Sequence, residues 1–204
     1  MNGKLIAFEG IDGSGKSTQI ALLSKWLQEE HGVACHTTCE PTDGAIGRLL
    51  REYLSGEKQA DSRVLAALFA ADRLDHLTCA GGLCERMANG ETVLVDRYYL
   101  SSYAYQGMDM PLDWVMALNR ESAALRTPDC HIFLDIDIDT ALSRIGGRGV
   151  RKEVFETRET LAAIAAQYEH VIAKLGDSER ILRIDANRDA QTVAQEIRMR
   201  LFAV

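Results

Sequence analysis

The residues that point most clearly to a chemical function occur near the start of this 204-residue chain. They form a run that matches G-x-x-x-x-G-K-[ST] without a mismatch: Gly10-Ile11-Asp12-Gly13-Ser14-Gly15-Lys16-Ser17. Glycines let backbone N–H groups curve around a phosphate, and the helix that follows directs its positive N-terminal end at the same anion. Lys16 is expected to reach the β- and γ-phosphates, and the Ser17 hydroxyl to hold Mg²⁺. Together with Thr18, this run is the candidate binding loop for a nucleoside triphosphate.

The segments on either side of this loop have the periodicity that such a site requires. Leu5-Ile6-Ala7-Phe8 predicts a buried strand, and Ile20, Leu23 and Leu27 recur at the spacing of one helix face. Along the whole chain, short apolar runs predict strands at 4–8, 34–38, 92–96, 131–136 and 180–184. Helical stretches alternate with these strands, which indicates an α/β fold with a mostly parallel sheet and helices on both faces.

Asp96 and Arg97 follow the predicted strand 92–96 directly. Ligands of open α/β sheets bind at the carboxyl ends of strands, so Asp96 is a candidate Mg²⁺ ligand and Arg97 a candidate clamp for a second phosphate group. Asp135 ends another apolar run and is nearly equal as a metal ligand by pattern alone, but the neighbouring Arg97 favours Asp96. The alternative for the Asp96–Arg97 pair is an ordinary surface ion pair.

A long helix is predicted from Asp61 to Met87, with a break near Gly81-Gly82. Phe69 and Arg73 stand at i and i+4 and therefore share one face of it. An aromatic ring can stack on a planar base while a guanidinium donates to a carbonyl of that base. The alternative is a core phenylalanine beside a surface arginine.

The segment after Arg97 is rich in tyrosine and small polar residues. Ser102, Tyr105 and Gln106 carry the hydroxyl and amide groups that read a sugar and a base edge. The alternative is a helix start capped by Ser101 or Ser102.

A glycine-rich, basic stretch at 146–153 predicts a mobile loop in an otherwise acidic protein. Arg144, Arg148 and Arg151 crowd into and around it. Phosphoryl transfer spreads negative charge over the moving group, and arginines carried by a closing lid can neutralise that charge. The alternative is a solvated basic turn.

Composition narrows the class of protein. The hydrophobic share of 47 % and the charged share of 26 % are typical of a soluble globular chain. A net charge of −7 argues against binding to nucleic acid. No apolar stretch is long enough to span a membrane, and the N-terminus runs straight into a strand, so we expect no signal peptide. The five cysteines form no C-x-x-C pair, which favours reduced thiols in the cytoplasm over a zinc site.

Together these motifs resemble the thymidylate kinase family of nucleoside-monophosphate kinases over nearly the whole chain. The segments that carry the resemblance are Glu9-Gly10 with the loop that follows, Glu40-Pro41, Leu68-Phe69-Ala70-Ala71-Asp72-Arg73, Asp96-Arg97-Tyr98 with Ser101, Ala104-Tyr105-Gln106, and Leu134-Asp135-Ile136 with the arginine-rich lid. The resemblance implies one domain over 1–204 with a P-loop NTPase-type three-layer fold and a lid at about 146–155. It also implies a five-stranded parallel sheet of order 2-3-1-4-5 and a homodimer.

The resemblance further implies that MgATP is the phosphoryl donor and dTMP the acceptor, giving ADP and dTDP. Phe69 would then stack on thymine and Arg73 donate to its O4, while Arg97 would hold the dTMP phosphate. The acceptor-binding residues implied by the family are Asp12, at the sugar 3′-hydroxyl, Pro41 and Leu54, which wall the base, Phe69, Arg73, Arg97, Ser102, Tyr105, at the 2′ face of the sugar, and Gln106.

The same resemblance separates the catalytic arginines from the loop. None of the variable loop positions 11–14 is basic, so this chain is similar to the members that supply arginines from the lid, with Arg148 first and Arg151 second. Two features depart from the family. Cys39 stands where many members have arginine before Glu-Pro, so Arg48 is a candidate replacement, and Lys152-Glu153-Val154 replaces the usual Asp-Arg pair in the lid.

Three other functions remain open from the residues. A kinase of this fold could act on dUMP, dGMP or a deoxynucleoside, and the last would need a general base such as Glu9 or Asp96. A GTPase switch would need an Asn-Lys-x-Asp type base reader, which the chain lacks. A binding protein of the same fold that has lost activity is the third alternative.

Overall fold

The sheet at the centre of the molecule is parallel throughout and has the order β2-β3-β1-β4-β5. The structure, a computed structural model, describes residues 3–147, 157–176 and 178–202. The strands are β1 Leu5–Glu9, β2 Cys35–Cys39, β3 Thr92–Asp96, β4 Cys130–Asp135 and β5 Ile181–Asp185. The predicted fold, strand order and parallel direction are confirmed, and no strand end differs from its prediction by more than one residue.

Helices surround this sheet in two sets. Within the described residues the α-helices are α1 Lys16–His31, α2 Ala45–Leu54, α3 Ser62–Thr78, α4 Leu83–Ala88, α5 Tyr99–Tyr105, α6 Leu112–Leu118, α7 Arg120–Leu125, α8 Ile138–Gly146, α9 Arg158–Leu175 and α10 Ala190–Phe202. Helices α1 and α10 pack against each other, while α5 packs against α3 and α9. None of the helices in the described part of the chain combines the length and apolar character that a membrane crossing needs.

Burial explains why β1, β3 and β4 occupy the middle of the sheet. All five residues of β1 are buried, and β3 and β4 expose only part of their last residue. The edge strand β2 reads Cys-His-Thr-Thr-Cys and stays partly exposed. Parallel strands that are covered on both faces are read as continuous apolar runs, and polar strands are tolerated at the edge.

The helical stretch predicted from Asp61 to Met87, with a break near Gly81-Gly82, is confirmed: it consists of α3 and α4, and the chain turns between them at these two glycines. Gly81 adopts a positive φ of 71°, and a Cβ on Gly82 would lie 2.7 Å from the carbonyl oxygen of Cys79. These two glycines therefore permit a tight reversal that other residues would resist. Phe69 and Arg73 lie within α3, away from both of its ends.

The strand register brings two predicted motifs to the same edge of the sheet. Phe8 of β1 pairs with Asp96 of β3, and the backbone N–H of Arg97 donates to the Phe8 carbonyl at 2.9 Å. The loop that follows β1 and the residues that follow β3 are thus neighbours, as expected at the carboxyl ends of adjacent parallel strands.

Candidate active site

The P-loop, residues 10–17, joins β1 to α1 through three glycines with positive φ: Gly10 at 138°, Gly13 at 84° and Gly15 at 94°. A Cβ on Gly13 would lie 2.5 Å from the carbonyl oxygen of Ala141, so the loop needs glycine there. The Lys16 ammonium folds back and donates to the carbonyls of Gly10 and Ile11, both at 3.1 Å. Burial and the charge of the nearby Arg97 lower the pKa of Lys16 to about 8. The lysine therefore stands where an arriving anion would stabilise its charge.

Ser17 and Asp96 form the pair that fits a divalent cation. The Ser17 hydroxyl donates to Asp96 Oδ2 at 2.9 Å. The rival carboxylate, Asp135, lies against β5 and pairs with Arg183 at 3.4 Å. Hydroxyl and carboxylate oxygens are the hard ligands that Mg²⁺ prefers, and it usually keeps several waters and phosphate oxygens as well. The described residues contain no group of three or more His, Cys, Asp or Glu arranged to hold a metal, so this pair would need such additional ligands.

Arg97 occupies a strained and heavily bonded position. Its φ of 70° makes it the one non-glycine residue with positive φ in the described ranges, a conformation that costs about 1–3 kcal/mol. Its guanidinium donates to the Gly10 carbonyl and to Ser101 Oγ, both at 3.2 Å, to Asp12 Oδ1 at 2.6 Å and to the Tyr105 hydroxyl at 2.8 Å. This network ties the end of β3 to the P-loop, so the surface ion pair considered from sequence is wrong for Arg97.

Asp12 is the acidic partner in this network. Burial opposes its ionisation, but the charges of Arg97 and Lys16 outweigh burial and hold the pKa of Asp12 at about 2. The Tyr105 hydroxyl donates to its second oxygen, Oδ2, at 3.1 Å. Asp12 is therefore ionised at neutral pH, and each of its carboxylate oxygens accepts a hydrogen bond, Oδ1 from Arg97 and Oδ2 from Tyr105.

A cavity of about 570 Å³ extends from the P-loop to helices α2 and α3. All of the acceptor-binding residues that the family resemblance implied line it: Asp12, Pro41, Leu54, Phe69, Arg73, Arg97, Ser102, Tyr105 and Gln106. Phe69 is only half-buried and faces this cavity, so the core placement considered for it is wrong.

Arg73 is one of the most deeply buried charges of the described residues, at 1 % exposure. It pairs with Glu40 at 2.7 Å and donates to Ser102 Oγ at 3.1 Å and to the side-chain oxygen of Asn119. Its Nε–H has no hydrogen-bond partner in the structure, although Arg73 lines the cavity. The alternative of a surface arginine is wrong: the guanidinium is buried at the cavity wall, and one of its donors is left without a partner among the described residues.

The structure also brings to the cavity residues that sequence reasoning missed. Arg51 lines it and donates to the carbonyls of Pro41 and Thr42, both at 2.6 Å, whereas the predicted substitute Arg48 is exposed and donates to the Asp43 carbonyl. Arg51 lies one turn before Leu54 on α2, and that shared helix face was a signal for it. No comparable signal pointed to Asn119.

Glu9 lies beneath the cavity floor and does not line it. It is fully buried, accepts from the Tyr98 backbone N–H at 3.0 Å and accepts from the Ser101 hydroxyl. Burial raises the pKa of Glu9.

Ser101 and Ser102 do not cap α5, because Tyr98 holds the N-cap position, so the capping alternative for them is wrong.

A second cavity of about 220 Å³ lies on the other side of the P-loop. Arg144 of α8 lines it and donates to the Arg188 carbonyl at 3.3 Å, with Gln19 of α1 also in the wall. Arg144, one of the predicted catalytic arginines, therefore lies beside the P-loop in a different cavity from Arg97. The other two, Arg148 and Arg151, lie outside the described residues, as does most of the predicted lid.

Comparison with known proteins agrees with this geometry. The family model described as thymidylate kinase matches residues 8–197. The thymidylate kinase of Akkermansia muciniphila is 41 % identical over 201 residues, which cover 98 % of this chain and 91 % of the relative. Two further relatives carry names from the same family: one of Aeropyrum pernix, 40 % identical over 98 % of this chain and 96 % of its own, and one of Treponema pallidum, 35 % identical over 94 % and 91 %. The chain belongs to the thymidylate kinase family.

Proposed function

We propose that this chain transfers the γ-phosphoryl group of MgATP to dTMP, forming ADP and dTDP. The observation that carries the proposal is one cavity with two chemistries. At one end are the P-loop and the Ser17–Asp96 pair, and at the other are the Phe69 ring and the buried guanidinium of Arg73. Arg97 joins them through its bond to the P-loop. Two binding chemistries in one cleft suit transfer between two nucleotides.

The donor is expected to enter from the P-loop side. Backbone N–H groups of the loop and Lys16 would bind the β- and γ-phosphates, and the cavity near Gln19 and Arg144 would take the nucleoside part. Ser17 and Asp96 would hold Mg²⁺, which when bound would neutralise charge on the phosphates. Arg148 and Arg151 remain the proposed lid arginines on the strength of the sequence.

Recognition of the base is expected to depend on Phe69, Arg73 and Gln106. The ring supplies a stacking surface, and the unused Arg73 donor suits the O4 carbonyl of thymine. Gln106 lines the cavity, and its side-chain oxygen is buried without a partner, so a small turn of this amide would offer an acceptor to the N3–H of thymine. Cytosine carries an amino group at position 4 and no N3–H, so it would set donor against donor and acceptor against acceptor. This pattern favours thymine or uracil over cytosine.

Arg97 is expected to aim the dTMP phosphate at the donor, with Asp12 and Tyr105 beside the sugar. Asp12 stays ionised and can accept a hydrogen bond from the 3′-hydroxyl. A ribose would add a 2′-hydroxyl against Tyr105. A phosphate monoester is already ionised near neutrality, so the reaction needs no strong general base. Of the two candidate bases for a nucleoside acceptor, Glu9 does not line the cavity, and Asp96, which does, bonds to Ser17 and is assigned to Mg²⁺, so a monophosphate acceptor is favoured.

A homodimer through α3 is part of the proposal. Val64, Ala67, Ala71 and Leu74 are all exposed on this helix and recur at the spacing of one face. An exposed apolar stripe on a helix favours a second copy of the chain as its cover. Sedimentation should give a dimer mass for the wild type, and Leu74→Asp should shift it toward the monomer. A monomeric wild type would reject this interface.

The reaction is tested by coupled ADP release with MgATP against dTMP, dUMP, dCMP, dGMP, UMP and thymidine. We expect dTMP to be the best acceptor. dUMP should still react, but more slowly, because the thymine methyl that it lacks contributes only about 1 kcal/mol through burial of apolar surface. Preference for thymidine over dTMP would transfer the chain to the nucleoside kinases. Silence on the whole panel would leave only nucleotide binding.

A further inference from the structure

Three neighbouring side chains of α3 bond to the segment between β2 and α2. This segment lines the 570 Å³ cavity. Asp72 accepts two hydrogen bonds from Thr42, one from its backbone N–H at 2.8 Å and one from its hydroxyl at 2.6 Å. Arg73 pairs with Glu40 Oε2 at 2.7 Å, and His76 Nδ1 lies 3.1 Å from Glu40 Oε1. Each oxygen of Glu40 thus faces a side chain of α3, Oε1 through the hydrogen bond with His76 and Oε2 through the ion pair with Arg73, and the Glu40 side chain is 2 % exposed.

His76 is held at both ring nitrogens. Nδ1 faces Glu40, and Nε2 lies 3.0 Å from the Thr38 hydroxyl. A carboxylate can only accept, so the Glu40 contact requires the proton on Nδ1. The ring donates to Glu40, and in the neutral tautomer it accepts from Thr38 at Nε2.

We propose that His76 is a positioning residue for recognition of the base: through Nδ1 it fixes the Glu40 carboxylate, and Glu40 fixes the guanidinium of Arg73. The inference rests on the proposed function, because it takes Arg73 as the group that reads the base. His76 does not line the cavity, so it acts through Glu40.

The physical reason is that Glu40 has two oxygens and two buried partners. Without the His76 donor, Glu40 Oε1 would be left unpaired in a buried site. The carboxylate would then rotate to find another donor, which would change its contact with Arg73. Arg73 would shift with it, and a misplacement of about 1 Å is enough to weaken an aligned contact strongly. Arg97 and the P-loop are held by other groups, so the effect should be confined to the nucleobase of the acceptor.

Two substitutions of His76 separate this role from general packing. The amide nitrogen of asparagine lies near the position of Nδ1, whereas that of glutamine lies near Nε2. His76→Asn therefore keeps the donor to Glu40, and His76→Gln keeps a partner for Thr38. We expect the KM for dTMP to rise about tenfold in His76→Gln and to stay within about twofold in His76→Asn. The kcat at saturating dTMP and the KM for MgATP should stay unchanged in both. His170→Gln, at an exposed histidine of α9, is the matched control.

Each outcome of this experiment decides the inference. Equal KM values for dTMP in the two variants would overturn it, as would a parallel loss of dTMP and MgATP binding with a lowered Tm, which marks a structural role. A second readout is the ratio of kcat/KM for dTMP to that for dCMP, which should fall in His76→Gln and not in His76→Asn. The wild type is assayed first. Failure to turn over dTMP would reject the proposed function and the inference with it, whereas an active wild type with equal variants rejects the inference alone.

Discussion

The donor side and the acceptor side of the cleft are built from different kinds of group. The donor side is one continuous loop whose backbone does most of the binding, and its lysine bonds only to backbone carbonyls of that loop among the contacts described. The acceptor side is assembled from side chains on α2, α3 and α5 and after β3, and its three arginines, Arg51, Arg73 and Arg97, are already paired with carboxylates. The donor side thus awaits an anion to complete its electrostatics, while the acceptor side is oriented in advance.

This contrast has a consequence for how the two substrates bind. A lysine with a lowered pKa gains much of its stabilisation from the arriving phosphates, so donor binding should depend on pH near that pKa. Arginines held by Glu40 and Asp12 keep their charge and direction at all physiological pH values. Acceptor binding should therefore depend on geometry more than on charge, and four measurements test this difference between the two sides.

The largest effect is expected from Arg97→Ala. This change removes the proposed phosphate clamp and leaves the partly buried Asp12 without its main counter-charge, so kcat/KM for dTMP should fall by about 10²–10³-fold. The KM for MgATP should change by less than about threefold. Steady-state kinetics with each substrate varied would measure both, and Arg48→Ala, at an exposed arginine of α2, is the matched control. An equal loss for both substrates would remove the distinction between the two sides.

The next effect concerns Lys16 and pH. The free protein holds the pKa of Lys16 at about 8, and bound phosphates favour the charged form, so the bound pKa is higher. MgATP affinity should therefore be constant below pH 8 and fall by up to about tenfold per pH unit above it. Titration calorimetry between pH 7 and 9.5 would measure this, and Lys16→Met should bind weakly with no such break. A wild-type affinity that is flat to pH 9.5 would contradict the electrostatic account of the donor side.

Phe69→Ala tests the acceptor side without touching a charge. Loss of base stacking should raise the KM for dTMP about tenfold, while the free energy of unfolding changes by less than about 1 kcal/mol because the ring is only half-buried. Leu77→Ala on the same helix is the control, since full burial there should cost about 2–5 kcal/mol. Denaturant unfolding and kinetics would separate the two. A large loss of stability with unchanged dTMP binding would return Phe69 to the core.

The smallest effect is the pH dependence of stability at Asp12. Its pKa is lowered to about 2 in the folded protein, so its contribution is full above the unfolded value near 4 and is lost as pH falls toward 2. The difference in unfolding free energy between the wild type and Asp12→Asn should shrink by about 1 kcal/mol between pH 6 and pH 3. Urea denaturation at the two pH values measures it. A constant difference would mean that Arg97 does not hold the carboxylate as its geometry indicates.

Prediction from sequence worked where the signal is local. The P-loop is contiguous, and the apolar runs of the buried strands are short and uninterrupted, so the positions of the strands and the α/β class follow from the residues, while the strand order came from the family resemblance. The break predicted within Asp61–Met87 was local in the same way: two adjacent glycines interrupt a continuing apolar pattern, and the backbone turns there. Arg51 shares a helix face with Leu54, but its bonds to the carbonyls of Pro41 and Thr42 depend on how α2 folds back on the preceding segment, which the sequence does not show.

The amino-acid sequence was sufficient to predict the α/β fold, the P-loop and phosphoryl-transfer chemistry, because loop geometry and strand burial depend mainly on neighbours along the chain. The packing of the elements was needed to bring Asp96 to Ser17 and Asp135 to Arg183, to set Arg73 against Glu40, and to bond Asn119 to the same guanidinium. Those contacts join residues many positions apart on separate elements. Their existence depends on how helices α2, α3, α5 and α6 pack over the sheet, which no short run of residues specifies.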